Sequence, residues 1–168
     1  MEPENLLKGR IAESLVEELL KRSGNRVYRF GYEAVLQNLT QLEESFDRES
    51  EVGQRISSIP DFIAVKGKKI LFVEVKFRTD PSFFKKDINK LRMIGEFWRA
   101  KIVLVTLVKP YFRVFTSSYI AEGRRLDSIP IEKDPDLGVT PDVLNKFNEL
   151  VEKYYPIKEK DEEKNLPF

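Results

Sequence analysis

Ile59-Pro60-Asp61-Phe62-Ile63-Ala64-Val65-Lys66-Gly67-Lys68-Lys69-Ile70-Leu71-Phe72-Val73-Glu74-Val75-Lys76 reads as two apolar strands joined by a tight turn. Gly67-Lys68 suits a two-residue hairpin loop whose first central position needs positive φ. That register pairs Lys66 with Lys69 and, counted back along the ladder, sets Asp61 opposite Glu74. Directly opposed residues lie on one face with Cα atoms roughly 4.5–5.5 Å apart. Lys76 follows Glu74 by two and shares that face. The spacing therefore predicts three charged side chains converging at one end of an apolar hairpin.

One face of the hairpin would carry Asp61, Ile63, Val65, Ile70, Phe72, Glu74 and Lys76. The other would carry Phe62, Ala64, Lys66, Lys69, Leu71, Val73, Val75 and Phe77. Both are apolar in the middle, as expected of a sheet covered on two sides. Two carboxylates held together beside an apolar wall repel each other and call for a cation. A hard divalent metal, which prefers oxygen ligands, answers that need. A lysine close by can neutralise developing negative charge or help position a water.

Pro60-Asp61 followed by Glu74-Val75-Lys76 on the next strand resembles the signature of the PD-(D/E)XK nuclease superfamily, and the chain is closest in character to its Holliday-junction-resolvase-like members. The resemblance covers roughly the first two thirds of the chain. It implies a restriction-endonuclease-like α/β sandwich, a mixed central sheet with helices on both faces. It also implies Mg²⁺-dependent hydrolysis of phosphodiester bonds, with Mn²⁺ able to substitute, leaving a 5′-phosphate. Asp61, Glu74 and the Val75 carbonyl would hold the metal and Lys76 would serve the catalytic step. Gly9-Arg10-Ile11-Ala12-Glu13 matches the superfamily's habit of a glutamate on the first helix, a few residues after a glycine, that joins the metal site. Glu13 is thus the fourth catalytic and third carboxylate candidate, with Glu17 as the fallback.

Composition narrows the chemistry. The chain has 168 residues, 41% hydrophobic and 34% charged, which suits one globular domain with a real core. It has neither cysteine nor histidine. Disulfides, zinc ribbons, cysteine-ligated clusters, Ser-His triads and histidine bases are excluded, so hydrolysis would have to run on carboxylates, lysines and a metal. No N-terminal segment resembles a signal peptide and no run is long enough to span a membrane, so the expectation is a cytoplasmic protein without membrane contact. The net charge is only +1, but residues 66–101 hold eleven Lys and Arg against four Asp and Glu. A surface that tracks phosphates, or an ordinary solvated basic face, would look like this.

In chain order, residues 4–22 carry a helical apolar period. Arg26 to Phe30 is a short strand, and Tyr32 to Phe46 an inserted helix. Residues 45–59 read as an exposed polar loop with Arg55, Ser57 and Ser58 as candidate substrate contacts. Phe83 to Arg99 reads as a long helix with Lys86 and Lys90 one turn apart on its polar side. Lys101 to Val108 is a buried strand, and Tyr111 to Thr116 another. Residues 117–140 form an irregular crossing, and a final helix starts at Thr140-Pro141. Residues 1–155 would make one nuclease-like domain. Within it, 31–58 is a helical or loop insertion and 117–155 a C-terminal extension. Residues 156–168 would be a mobile charged tail, and its apolar end could hook a protein partner.

The candidate nucleic-acid contacts are Arg10, Arg55, Arg78, Lys86 and Lys90. The leading expectation is an endodeoxyribonuclease acting on branched or duplex DNA in repair, recombination or restriction, with DNA as partner and a homodimer as a reasonable assembly. The alternatives are a non-catalytic DNA-binding subunit of a larger DNA-processing complex, and a structural ion-pair network joining the carboxylates to Lys76 and Arg78.

Overall fold

The structure is a computed structural model that describes residues 2–31, 47–81, 87–116 and 128–155. The expected inserted helix at Tyr32 to Phe46, the first residues of the helix from Phe83, and the tail from Pro156 lie outside the described residues. Helix α1 spans Pro3–Arg22, with a proline in its first turn and Lys21 and Arg22 in its last, where cations offset the carbonyl end. Strand β1 (Arg26–Arg29) follows. Next come α2 (Glu51–Ser57), β2 (Phe62–Lys66) and β3 (Lys69–Phe77). Helix α3 (Ile88–Trp98) then leads into β4 (Lys101–Val105) and β5 (Phe112–Thr116). The short β6 (Ile129–Pro130), a 3₁₀ turn (Ile131–Lys133) and α4 (Pro141–Tyr154) complete the order. No helix among the described residues is long and apolar enough to cross a membrane.

The described strands form one six-stranded mixed sheet in the order β1-β2-β3-β4-β5-β6. Only β3 and β4 run parallel, and α3 supplies the crossover that a parallel pair requires. The hairpin register is the expected one: Lys66 pairs with Lys69 and Phe62 with Val73, and Gly67 has φ of 60°.

Alternate strand residues divide between two apolar clusters. Phe62, Ala64, Val73, Val75, Val103 and Val114 pack with Ala12, Val16 and Leu19 of α1 and Phe147 and Val151 of α4. Ile102 and Phe115 pack with Leu91 and Ile94 of α3, with Phe72 and Trp98 alongside. The period-two burial of β3 thus follows from its having apolar partners on both faces.

Three expectations need correction. The polar stretch 45–59 is not an exposed loop throughout: Glu51–Ser57 is helical, capped by the Ser50 hydroxyl accepting from the Gly53 N–H at 3.0 Å. A short polar helix has too few apolar positions to show a period. The strand from Lys101 stops at Val105, where the Thr106 N–H turns to the Tyr111 carbonyl. The crossing 117–140 contains the edge strand β6, which is too short to leave a pattern. It also contains Asp134, buried and paired with Lys101 at 2.7 Å, which ties the segment to β4.

Gly53 has a role that a sequence pattern does not show. A Cβ at this position would overlap the carbonyl oxygen of Asp47 and lie 2.8 Å from the Cα of Arg48. Backbone cannot yield as a side chain can. Gly53→Ala is therefore expected to push residues 47–50 off α2 and to cost about 2 kcal/mol. Urea denaturation checks this, and unchanged stability would count against so close an approach.

Candidate active site

Strand β2 begins at Phe62, opposite Val73, whereas β3 runs on to Phe77 against β4. Among the described residues, 74–77 therefore have no neighbouring strand on the β2 side. The side chain of Asp61, one residue before β2, fills part of the gap: its Oδ2 accepts the Val75 N–H at 2.7 Å. A carboxylate thus satisfies a backbone donor that a longer β2 would have left to the ladder. The Asp61 carbonyl in turn accepts the N–H groups of Phe30 and Gly31 at 2.8 and 3.1 Å. Phe30 is held by an aromatic cluster with Phe72 and Trp98, ring centroids 5.3–5.6 Å apart. The convergence of Asp61 and Glu74 is as expected, but Asp61 sits ahead of the ladder rather than in it.

Glu74 is 2% exposed. Its Oε1 accepts from the Lys76 ammonium at 2.6 Å, and the Lys90 ammonium stands 3.9 Å from the same oxygen. Burial, then the charge of Glu74, push the Asp61 carboxyl up to about 8; the Val75 N–H and Lys76 oppose the shift and Glu13 adds to it. Burial alone would lower the Lys76 pKa. The charge of Glu74 and its hydrogen bond, with help from Asp61, outweigh burial and hold Lys76 above the ordinary lysine value. Lys90 moves the other way, pulled below that value by the charge of Lys76 and by burial.

These groups form the floor of a cleft of about 920 Å³ at the sheet gap. Glu13 of α1 lines the same cleft, and its charge is felt at Asp61. Glu17, one turn further on, is engaged with Lys21 at 2.8 Å and Arg29 at 2.7 Å instead. Arg10, Arg78 and Lys90 line the cleft as expected of phosphate contacts, and Arg78 is ion-paired with Asp87 there. The pairing of Arg78 with the carboxylates, which the ion-pair-network alternative expected, gives way to Asp87.

Arg55 does not line the cleft. It lies over the Phe97 ring at 5.1 Å and faces Glu51 at 3.5 Å, because its place on α2 turns it towards α3. Ser57 lines the cleft, whereas Ser58 is buried and accepts from the Trp98 indole at 3.3 Å. Lys86 lies outside the described residues. Two cations escaped the sequence reading: Arg29 at the end of β1 and Arg48 before α2 also line the cleft. Arg29 lies between Tyr28 and Phe30 and Arg48 between Asp47 and Glu49, and only the meeting of β1, α1 and the 47–50 turn brings them to the cleft with Asp61.

Among the described residues, no group of three His, Cys, Asp or Glu side chains is placed to hold a metal ion. What the structure does bring together is a carboxylate pair, Glu74 buried and Asp61 half-buried, one tightly bound ammonium, a second ammonium close by and a rim of arginines. Such an arrangement can bind a phosphate diester and stabilise charge on it.

No protein-family model matches the chain, and no curated protein matches it. Among solved structures it is similar to Hjc of Archaeoglobus fulgidus, a Holliday junction resolvase from an archaeal hyperthermophile. The identity is 16%, the alignment covers 74% of this chain and 89% of that one, and the TM-score is 0.39.

Proposed function

We propose that this chain is a metal-dependent endodeoxyribonuclease of PD-(D/E)XK type on a restriction-endonuclease-like sandwich. The observation that carries the reading is the meeting of Asp61, Glu74 and Lys76 on the floor of an arginine-lined cleft. Asp61 and Glu74 fit Mg²⁺, with the Val75 carbonyl and Glu13 as further donors. Mg²⁺ commonly takes one or two carboxylates and keeps water or substrate oxygens for the rest, so a three-acid cluster is not required. Burial first, and the Glu74 charge second, push the Asp61 carboxyl up, and a bound cation would offset both. Bound there, the ion would supply Lewis-acid activation of water and charge neutralisation at the phosphate.

The protein's own groups would do the rest. Lys76, held beside Glu74 at 2.6 Å, would steady the phosphorane oxyanion or orient the attacking water. Arg10, Arg29, Arg48 and Arg78 would seat the flanking phosphates, and Lys90 would add charge beside Glu74. A homodimer would let two such clefts act on a branched substrate; a monomeric mass in light scattering would rule this out.

One observation favours a second reading. The Lys76–Glu74 pair is complete without any added ion, as in a structural ion-pair network. Cleavage of labelled duplex, single-stranded, flap and four-way-junction DNA, with Mg²⁺, Mn²⁺ or EDTA, separates the two. Metal-dependent cutting supports the nuclease. Salt-sensitive binding without cutting would leave a DNA-binding subunit, and neither would leave the network.

A further inference from the structure

The proposal here deepens the nuclease reading and rests on it. Helix α1 is built almost wholly from good helix formers, yet Gly9 interrupts it in its second turn. Glycine is the poorest helix former after proline, because it gives up most backbone freedom. Its φ is not in the left-handed region, so no backbone conformation calls for it. Packing does not call for it either: a Cβ at Gly9 would meet nothing within 4 Å among the described residues. Among the described residues, nothing on the protein side thus explains the glycine.

Its position does suggest an explanation. Asn5, Gly9 and Glu13 follow one another at i, i+4 and so form one row along the helix. All three line the catalytic cleft, as does Arg10. The row presents a polar amide, a bare turn of backbone and then Glu13, whose charge is felt at Asp61. The bare turn is also held in place. Tyr155 donates its hydroxyl to the Lys8 carbonyl at 2.6 Å, and its ring stacks on Phe77, centroids 4.6 Å apart and planes within 8°. Phe77 follows Lys76 directly, so the Gly9 turn stands at a set distance from the strand that carries Glu74 and Lys76.

We infer that Gly9 is a positioning residue for the substrate: the sugar–phosphate backbone of the cleaved DNA strand lies against the bare α1 turn, with Arg10 on an adjacent phosphate. A side chain at residue 9 would fill the space the deoxyribose needs and lift the scissile phosphate from the floor. Displacement of about 1 Å can cost on the order of 10²-fold in rate.

The test is Gly9→Ala and Gly9→Leu, read by thermal unfolding and by anisotropy with a fluorescein-labelled duplex and a labelled four-way junction. Ca²⁺ would replace Mg²⁺ so that the probes stay uncut. The melting temperature of Gly9→Ala should rise by about 2–4 °C as helix propensity improves. DNA affinity should nevertheless fall by about tenfold for alanine and about 100-fold for leucine, the scale on which an intruding side chain disturbs a close-packed contact. Opposite signs in the two readouts are what a purely structural glycine cannot produce. A lower melting temperature for Gly9→Ala would point to a tight protein contact and overturn the inference. Unchanged affinity in both variants would overturn it as well, with the nuclease reading intact. Failure of the unaltered protein to bind either probe would remove the nuclease reading, and this one with it.

Discussion

Asp61→Asn is expected to abolish cleavage while making the metal-free protein more stable. The loss of activity should be at least on the order of 10²–10³-fold, the scale seen when one group that stabilises the transition state is removed. The gain in stability follows from the raised carboxyl pKa. In the folded protein Asp61 holds its proton up to about pH 8, whereas the unfolded chain releases it near the ordinary value of 3.8. Between those limits the folded state binds more protons, so the contribution of this group to stability is fully present below pH 3.8. It declines as pH rises and is lost above about 8.

Asparagine has no charge to desolvate, and its amide oxygen can still accept the Val75 N–H. In EDTA the variant should therefore gain on the unaltered protein from pH 5 to about pH 8 and level off above it. The gain should reach on the order of 2 kcal/mol, or about 4–8 °C in melting temperature. Urea titrations at three pH values would measure it. A difference that does not grow with pH would show that burial does not hold the Asp61 carboxyl protonated.

Lys76→Met is expected to cost both activity and fold. Glu74 is buried, and Lys76 is its near partner at 2.6 Å. Removing one member of a buried pair leaves the other charge uncompensated, which costs about 3–5 kcal/mol. Lys90, at 3.9 Å from the same oxygen, should soften this towards the lower figure. The double change Glu74→Gln with Lys76→Met removes both charges and should recover much of the lost stability without recovering cleavage. Equilibrium denaturation in EDTA gives the stabilities, and the DNA substrates named above give the activity. If the single variant proves as stable as the unaltered protein, the Lys76–Glu74 pair is not the buried, closed contact that the geometry describes.

The hairpin and its charged end were legible in the sequence because β structure writes itself in a period of two. Gly67-Lys68 set the turn and the alternation set the faces of the ladder from Phe62–Val73 to Lys66–Lys69, while the count that put Asp61 opposite Glu74 reached one residue past the paired strands. The long helices α1 and α4 were legible for the same reason at a period of 3.6. The absence of histidine and cysteine confined any hydrolytic chemistry to carboxylates, lysines and a cation.

What only the tertiary structure decided is where non-adjacent segments meet. Whether β2 would run past Phe62 could not be counted, yet its stopping there opens the gap that Asp61 fills through the Val75 N–H. Arg29 and Arg48 were ordinary surface charges until β1 and the turn before α2 brought them to the cleft, and Arg55 was drawn away by Phe97. The bare face of Gly9 had meaning only once α1 lay across the end of β3. Local periodicity records which face a residue occupies. The direction in which a strand ends, and what stands across from it, depend on packing between elements distant in sequence, and no local pattern encodes that.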